Sequence, residues 1–88
     1  MEIHYSNKFS HEYRKLSLFV KKHAEAKERI FRKNPFNPRL ETHKLKGRLK
    51  GFWSFSIDKN YRIIFEFITK QEIWLHSVGT HDIYRLWD

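Results

Sequence analysis

The hydrophobic repeat changes once along the chain, and that change fixes the fold class. Before Pro38 apolar residues recur at helical spacing; after it they alternate. From Lys8 to about Val20, Phe9, Tyr13, Leu16 and Val20 stand at i, i+4, i+7 and i+11, which predicts one amphipathic helix with a single buried stripe. Ser6 and Asn7 precede it and offer short polar side chains to the unpaired amides of its first turn. A second, more charged helix is expected over about His23 to Lys33, with Ala26, Ile30 and Phe31 inward. Asn34-Pro35-Phe36-Asn37-Pro38 ends it, because proline and the residue before it both resist helical continuation.

From Phe52 onward the period is two. Trp53, Phe55 and Ile57 share one face, and Asp58-Lys59-Asn60 reads as a hairpin turn. Tyr61 to Ile68 is apolar on both faces apart from Arg62 and Glu66, so it is expected at the centre of a sheet. Thr69-Lys70-Gln71 turns into a third strand, Glu72 to Val78, which Gly79 closes. Residues 2–6 suit a short first strand, and His81 to Asp88 either a short helix or an irregular arm. The expected fold is α+β. Two N-terminal helices pack on one face of a twisted antiparallel sheet of four or five strands, in a single domain spanning residues 1–88. The other face, or part of it, is left for a ligand.

A chain of 88 residues buries only about 60% of its unfolded surface, enough for one core. Fifteen aromatic residues (eight Phe, four Tyr, three Trp) supply that core with large rings. There is no cysteine, so neither a disulfide nor a thiolate metal site can form, which suits a reducing cytoplasm. The first residues show no basic region followed by an apolar run, and no apolar stretch approaches the ~20 residues of a membrane span. Neither a signal peptide nor a membrane partner is expected.

Charge is concentrated. The chain carries 18 Lys and Arg against 10 Asp and Glu, or +8. Between Arg29 and Lys50 there are eight basic residues and only Glu41 opposing them, a net +7 in one quarter of the sequence. Such a field draws polyanions, although a basic surface can also serve solubility alone. Within His43 to Gly51, Lys44, Lys46, Arg48 and Lys50 alternate with Leu45, Gly47, Leu49 and Gly51. If extended, this run puts four cations on one face, about 6–7 Å apart, near the phosphate spacing of an extended single strand. The same pattern would describe an edge strand guarded by lysines against aggregation. His43, just before the run, is one of six histidines and is not singled out by spacing.

Four segments together are more specific. His43-Lys44-Leu45-Lys46-Gly47, Gly51-Phe52-Trp53-Ser54, Asp58 to Phe65, and Gly79-Thr80-His81-Asp82-Ile83-Tyr84 resemble, in this order and spacing, the landmarks of the RelE/ParE toxin superfamily. They are most similar to its YoeB and YafQ branches. The resemblance implies a bacterial toxin that cleaves messenger RNA at the ribosomal A site without a metal or other cofactor, neutralised by a cognate antitoxin. It implies that Arg62 contacts the scissile phosphate and that His81 is the general acid. Tyr84 resembles the aromatic residue that follows this histidine, although it stands three residues on rather than the usual four. His43 falls near the catalytic glutamate of YoeB-like enzymes, where YafQ-like enzymes have a histidine; Glu41 is the alternative base. Lys44, Lys46, Arg48 and Lys50 would hold substrate phosphates or 16S ribosomal RNA. Two other readings stay open: a ParE-type toxin that inhibits DNA gyrase without catalysis, and a plain RNA-binding module. A histidine metal site is not expected, because no His pair stands at i, i+3 or i+4 with a companion carboxylate.

Overall fold

The computed structural model describes residues 1–86, Leu86 by its backbone alone. Strand β1 (Glu2–Tyr5) leads into helices α1 (Asn7–Arg14) and α2 (Leu18–Lys33). Strands β2 (His43–Lys44), β3 (Trp53–Ser56), β4 (Arg62–Thr69) and β5 (Glu72–Gly79) follow, and helix α3 (Ile83–Leu86) ends the described chain. Of the tail, His81 and Asp82 form a turn and Ile83–Leu86 is helical; Trp87 and Asp88 lie outside the described residues.

The expected single helix from Lys8 to Val20 is two pieces. Ser6 caps α1, its hydroxyl accepting from the Phe9 amide at 2.9 Å and donating to the His76 carbonyl at 3.0 Å. The chain leaves the helix after Arg14, and Ser17 caps a new one by accepting from the Val20 amide at 3.2 Å. A serine at this position offers the backbone a competing partner, so the apolar stripe continues through a break in the hydrogen-bond ladder. Helix α2 thus begins at Leu18 rather than His23. It buries Ala24 and Phe31 rather than Ala26, which is half-buried.

The sheet order is β1-β5-β4-β3-β2, with β4 central as its two apolar faces require. Strands β2 to β5 pair antiparallel, whereas β1 runs parallel to β5, so the sheet is mixed at one edge. Phe9, Ala24, Phe31 and Leu40 meet Phe55, Ile63, Phe65, Ile73, Leu75 and Val78 in one core. The Phe31 ring lies 4.6 Å from Phe55 and 5.0 Å from Phe65, which locks α2 on the sheet. Alternation puts Ser54, Ser56, Arg62, Ile64, Glu66 and Trp74 on the opposite face.

Strand β5 contains a bulge. Phe65 pairs with Leu75 but Ile64 pairs with Ser77, leaving His76 as the extra residue. Glu12 on α1 compensates: its carboxylate accepts from the Ser77 hydroxyl at 2.8 Å and the Val78 amide at 3.1 Å. A helix side chain thereby satisfies the irregular stretch of the strand.

The basic run is not a long strand. Within it only His43 and Lys44 belong to a strand; Gly47 (φ 67°) and Gly51 (φ 99°) take left-handed conformations around a 3-10 turn over Gly47–Leu49. Glycine reaches these angles without steric cost, so the segment folds back and buries Leu49. Lys44, Lys46, Arg48 and Lys50 accordingly do not line one face of a strand.

Candidate active site

Arg62 opens β4 on the face away from the helices. Its Nη1 donates to the Ser56 hydroxyl at 2.7 Å and to the Asp58 carbonyl at 2.8 Å. Ser56, itself buried, donates to the same carbonyl at 2.8 Å. The β3–β4 turn holds these acceptors in place. Asp58 Oδ1 accepts from the amides of Asn60 and Tyr61, at 2.8 and 2.9 Å, and Oδ2 lies 3.2 Å from His23 Nδ1 on α2. Burial alone would raise the Asp58 pKa. The Asn60 amide, the His23 imidazole and the Tyr61 amide outweigh it and hold the carboxyl below its ordinary value. The arginine is thus fixed through one nitrogen. Across the ladder it pairs with Gly79.

Immediately beyond Gly79 the chain turns into α3. His81 is exposed in this turn, and its ring centroid is 5.7 Å from that of Tyr84. Asn60, Tyr61, Thr80, His81 and Asp82 line one shallow depression, so His81 stands beside the turn that carries Arg62. The Tyr84 hydroxyl is 2.6 Å from that of Ser54, which is wholly buried.

His43 reaches the same face by register. It pairs with Ser54, and Ser54 with Ile64, so the three side chains form a row across the sheet. Ser56 and Arg62 form the next row of that face, two residues or about 6–7 Å along. His43 Nδ1 is 3.0 Å from the Glu41 carbonyl oxygen. That oxygen can only accept, so Nδ1 carries the hydrogen; in the neutral ring this leaves the lone pair on Nε2.

The sequence as a whole matches a known family. A family model described as "Bacterial toxin of type II toxin-antitoxin system, YafQ" covers residues 1–85. The chain belongs to the YafQ toxin family. No curated protein sequence is significantly similar to it. Among solved structures, this YafQ-family toxin is similar to YafQ from E. coli strain BL21(DE3), with 18% identity, 94% of this chain and 96% of that one covered, and a TM-score of 0.73. It is also similar to a YoeB/ParE toxin from Agrobacterium tumefaciens (18% identity, 92% and 99% covered, TM-score 0.76). A third is the E. coli DinJ-YafQ complex (21% identity, 99% and 98% covered, TM-score 0.65). At these identities the likeness establishes the RelE-like fold, and the family model establishes a type II toxin.

Of the expected site residues in this YafQ-family toxin, His43 and Arg62 share one sheet face by register, Tyr84 meets that face at Ser54, and His81 neighbours Tyr84. The four basic residues disperse. Lys44 lies on the helix side, its Nζ 5.5 Å from the centroid of the Trp53 ring. Arg48 donates through Nη2 to the Tyr84 and Arg85 carbonyls, the latter at 3.0 Å, so its guanidinium secures α3. Lys46 and Lys50 are exposed. Glu41, in a left-handed conformation (φ 53°), contributes the carbonyl that orients His43.

Sequence reasoning missed Ser54, Ser56 and Asp58. Their signal was the alternation Trp53-Ser54-Phe55-Ser56-Ile57, which sets two small hydroxyls opposite the apolar side. Also missed was His76, whose Nε2 is 3.0 Å from Glu66 Oε1 on the open face. Among the described residues one group has metal-ligand spacing: Glu2, His4 and Glu72, with donor atoms within 4.8 Å of one another. Glu72 pairs with Thr69, at the far end of β4 from Arg62 and on the order of 20 Å away at strand rise. Among the described residues no helix is long and apolar enough to cross a membrane.

Proposed function

We propose that this toxin is an endoribonuclease, an mRNA interferase acting at the ribosomal A site in the bacterial cytoplasm, with a cognate antitoxin as its protein partner. The reading treats residues 1–88 as one toxin domain. The observation that supports it is that His43 and Arg62 share one sheet face by register, with His81 beside Tyr84, which is bonded to Ser54 on that face.

RNA cleavage by internal attack needs a base, a charge clamp and an acid. His43 Nε2 removes the proton of a ribose 2′-hydroxyl, and the oxygen attacks the adjacent phosphorus. Arg62 meets the phosphate oxygens with the guanidinium edge not spent on Ser56 and Asp58; a planar fork suits two oxygens at once. Its preset position stabilises the charge that builds in the transition state. The bond from phosphorus to the 5′-oxygen breaks, and His81 gives that oxygen a proton. The products are a 2′,3′-cyclic phosphate and a 5′-hydroxyl. Tyr84, beside His81, offers its ring to an unstacked base. The structural relative solved as a DinJ-YafQ complex and another solved as YoeB-YefM from Staphylococcus aureus support an antitoxin partner. No step in this scheme is assigned to a metal or cofactor.

The test is a cleavage assay with purified toxin and ribosomes programmed with a defined message. Wild type should cut within the A-site codon, and His81→Ala should not. An uncut message with wild type, or equal cutting by both, would contradict the reading.

A further inference from the structure

We propose that Ser54 and Arg48 are positioning residues that dock helix α3 and thereby set Tyr84 and His81 in the RNA-cleaving site. The inference rests on the endoribonuclease reading above, and it gives Arg48 a role other than phosphate binding.

Three contacts hold α3 against the sheet. Ile83, nearly buried, packs so closely on the end of β5 that a Cβ at Gly79 would meet its Cγ2 at 2.5 Å. Ser54 Oγ and Tyr84 Oη are 2.6 Å apart. Arg48 reaches across 36 residues of sequence to the carbonyls of Tyr84 and Arg85. A cation donating to carbonyls near a helix C-terminus supplies both hydrogen bonds and favourable charge. These contacts lie apart from the main core, which among the described residues contains none from α3 or from the 3-10 turn bearing Arg48. Their loss should therefore loosen α3 without dissolving the domain.

The consequence reaches the chemistry through short links. The Tyr84 amide donates to the His81 carbonyl at 3.2 Å, and the two rings are neighbours. Displacing Tyr84 displaces the turn that holds His81. Ser54 also stands in register beside His43, so one buried hydroxyl lies between the base and the aromatic residue. A reacting group moved by about an ångström costs on the order of 100-fold in rate.

The experiment compares Ser54→Ala, Arg48→Ala, Tyr84→Phe and Ser54→Ala/Tyr84→Phe by single-turnover cleavage at saturating enzyme. Binding of a single-stranded oligoribonucleotide is measured alongside, as is NMR contact between the His81 and Tyr84 rings. The proposal expects Ser54→Ala and Arg48→Ala to lose about 10- to 100-fold in rate with RNA affinity and its salt slope unchanged. It expects the ring contact to weaken, and the double variant to be no slower than the slower single one, since both remove the same link. Wild-type rates in the variants, or independent multiplying effects of Ser54→Ala and Tyr84→Phe, overturn it. So does an Arg48→Ala variant that binds RNA more weakly, with a shallower salt slope and a full rate at saturation, for that makes Arg48 a phosphate contact. Intact ring contacts in slowed variants overturn it as well. Absence of cleavage by wild type would overturn the endoribonuclease reading itself, and the positioning role with it.

Discussion

At the residue scale the account turns on Arg62. Its Nη1 is committed to Ser56 and Asp58, so a substitution there removes a preset clamp rather than a mobile charge. Arg62→Ala should lower the cleavage rate by about 10²–10³-fold, the scale of losing one transition-state donor. Arg62→Lys should restore little, because a point charge cannot reproduce the fork. Single-turnover rates beside RNA affinity measure this; full activity in Arg62→Lys would contradict it. Asp58 makes a separate prediction about pH. Its folded pKa lies below its unfolded value near 3.8, so its stabilising contribution is present above that value. It is lost as pH falls through the lower folded pKa. Asp58→Asn should therefore flatten the acid limb of stability in urea unfolding between neutral pH and about pH 2.5; an unchanged acid limb would contradict the assignment.

At the element scale the bulge in β5 and the capping of α1 belong together. Glu12→Ala should cost about 1–3 kcal/mol, because it leaves the Ser77 hydroxyl and the Val78 amide short of an acceptor in a buried setting. Chemical denaturation with an unchanged midpoint would refute this. The same scale explains what could be read from sequence. The strands and their turns were legible, because period two and the Asp58-Lys59-Asn60 turn are local signals that the sheet reinforces. The break between α1 and α2 was not, because Phe9, Tyr13, Leu16 and Val20 keep helical spacing across it and only the cap at Ser17 betrays it. The basic run was misread for a different reason. Alternation cannot show that Gly47 and Gly51 adopt positive φ, and it is silent about Arg48, whose partners lie 36 and 37 residues away. Arg62 and His81 became site candidates through the family's landmarks. Ser54 and Ser56 were not, because a hydroxyl acquires its role only from what the sheet sets beside it.

At the scale of the whole molecule, charge and chemistry divide. The +7 of residues 29–50 spreads over both sides of the sheet, with Lys44 on the helix side and Arg48 under α3. In the proposed function it supplies a long-range field for a polyanion, and the sheet face bearing Arg62 is assigned the cut. The proposed cut is an internal 2′-hydroxyl attack carried by two histidines and one arginine. The direct measurement is the chemistry of the ends left by wild-type toxin on a ribosome-bound message. The account predicts a 2′,3′-cyclic phosphate on the upstream fragment and a 5′-hydroxyl on the downstream one. A 3′-hydroxyl paired with a 5′-phosphate would contradict it, because those ends require attack by water rather than by the neighbouring ribose.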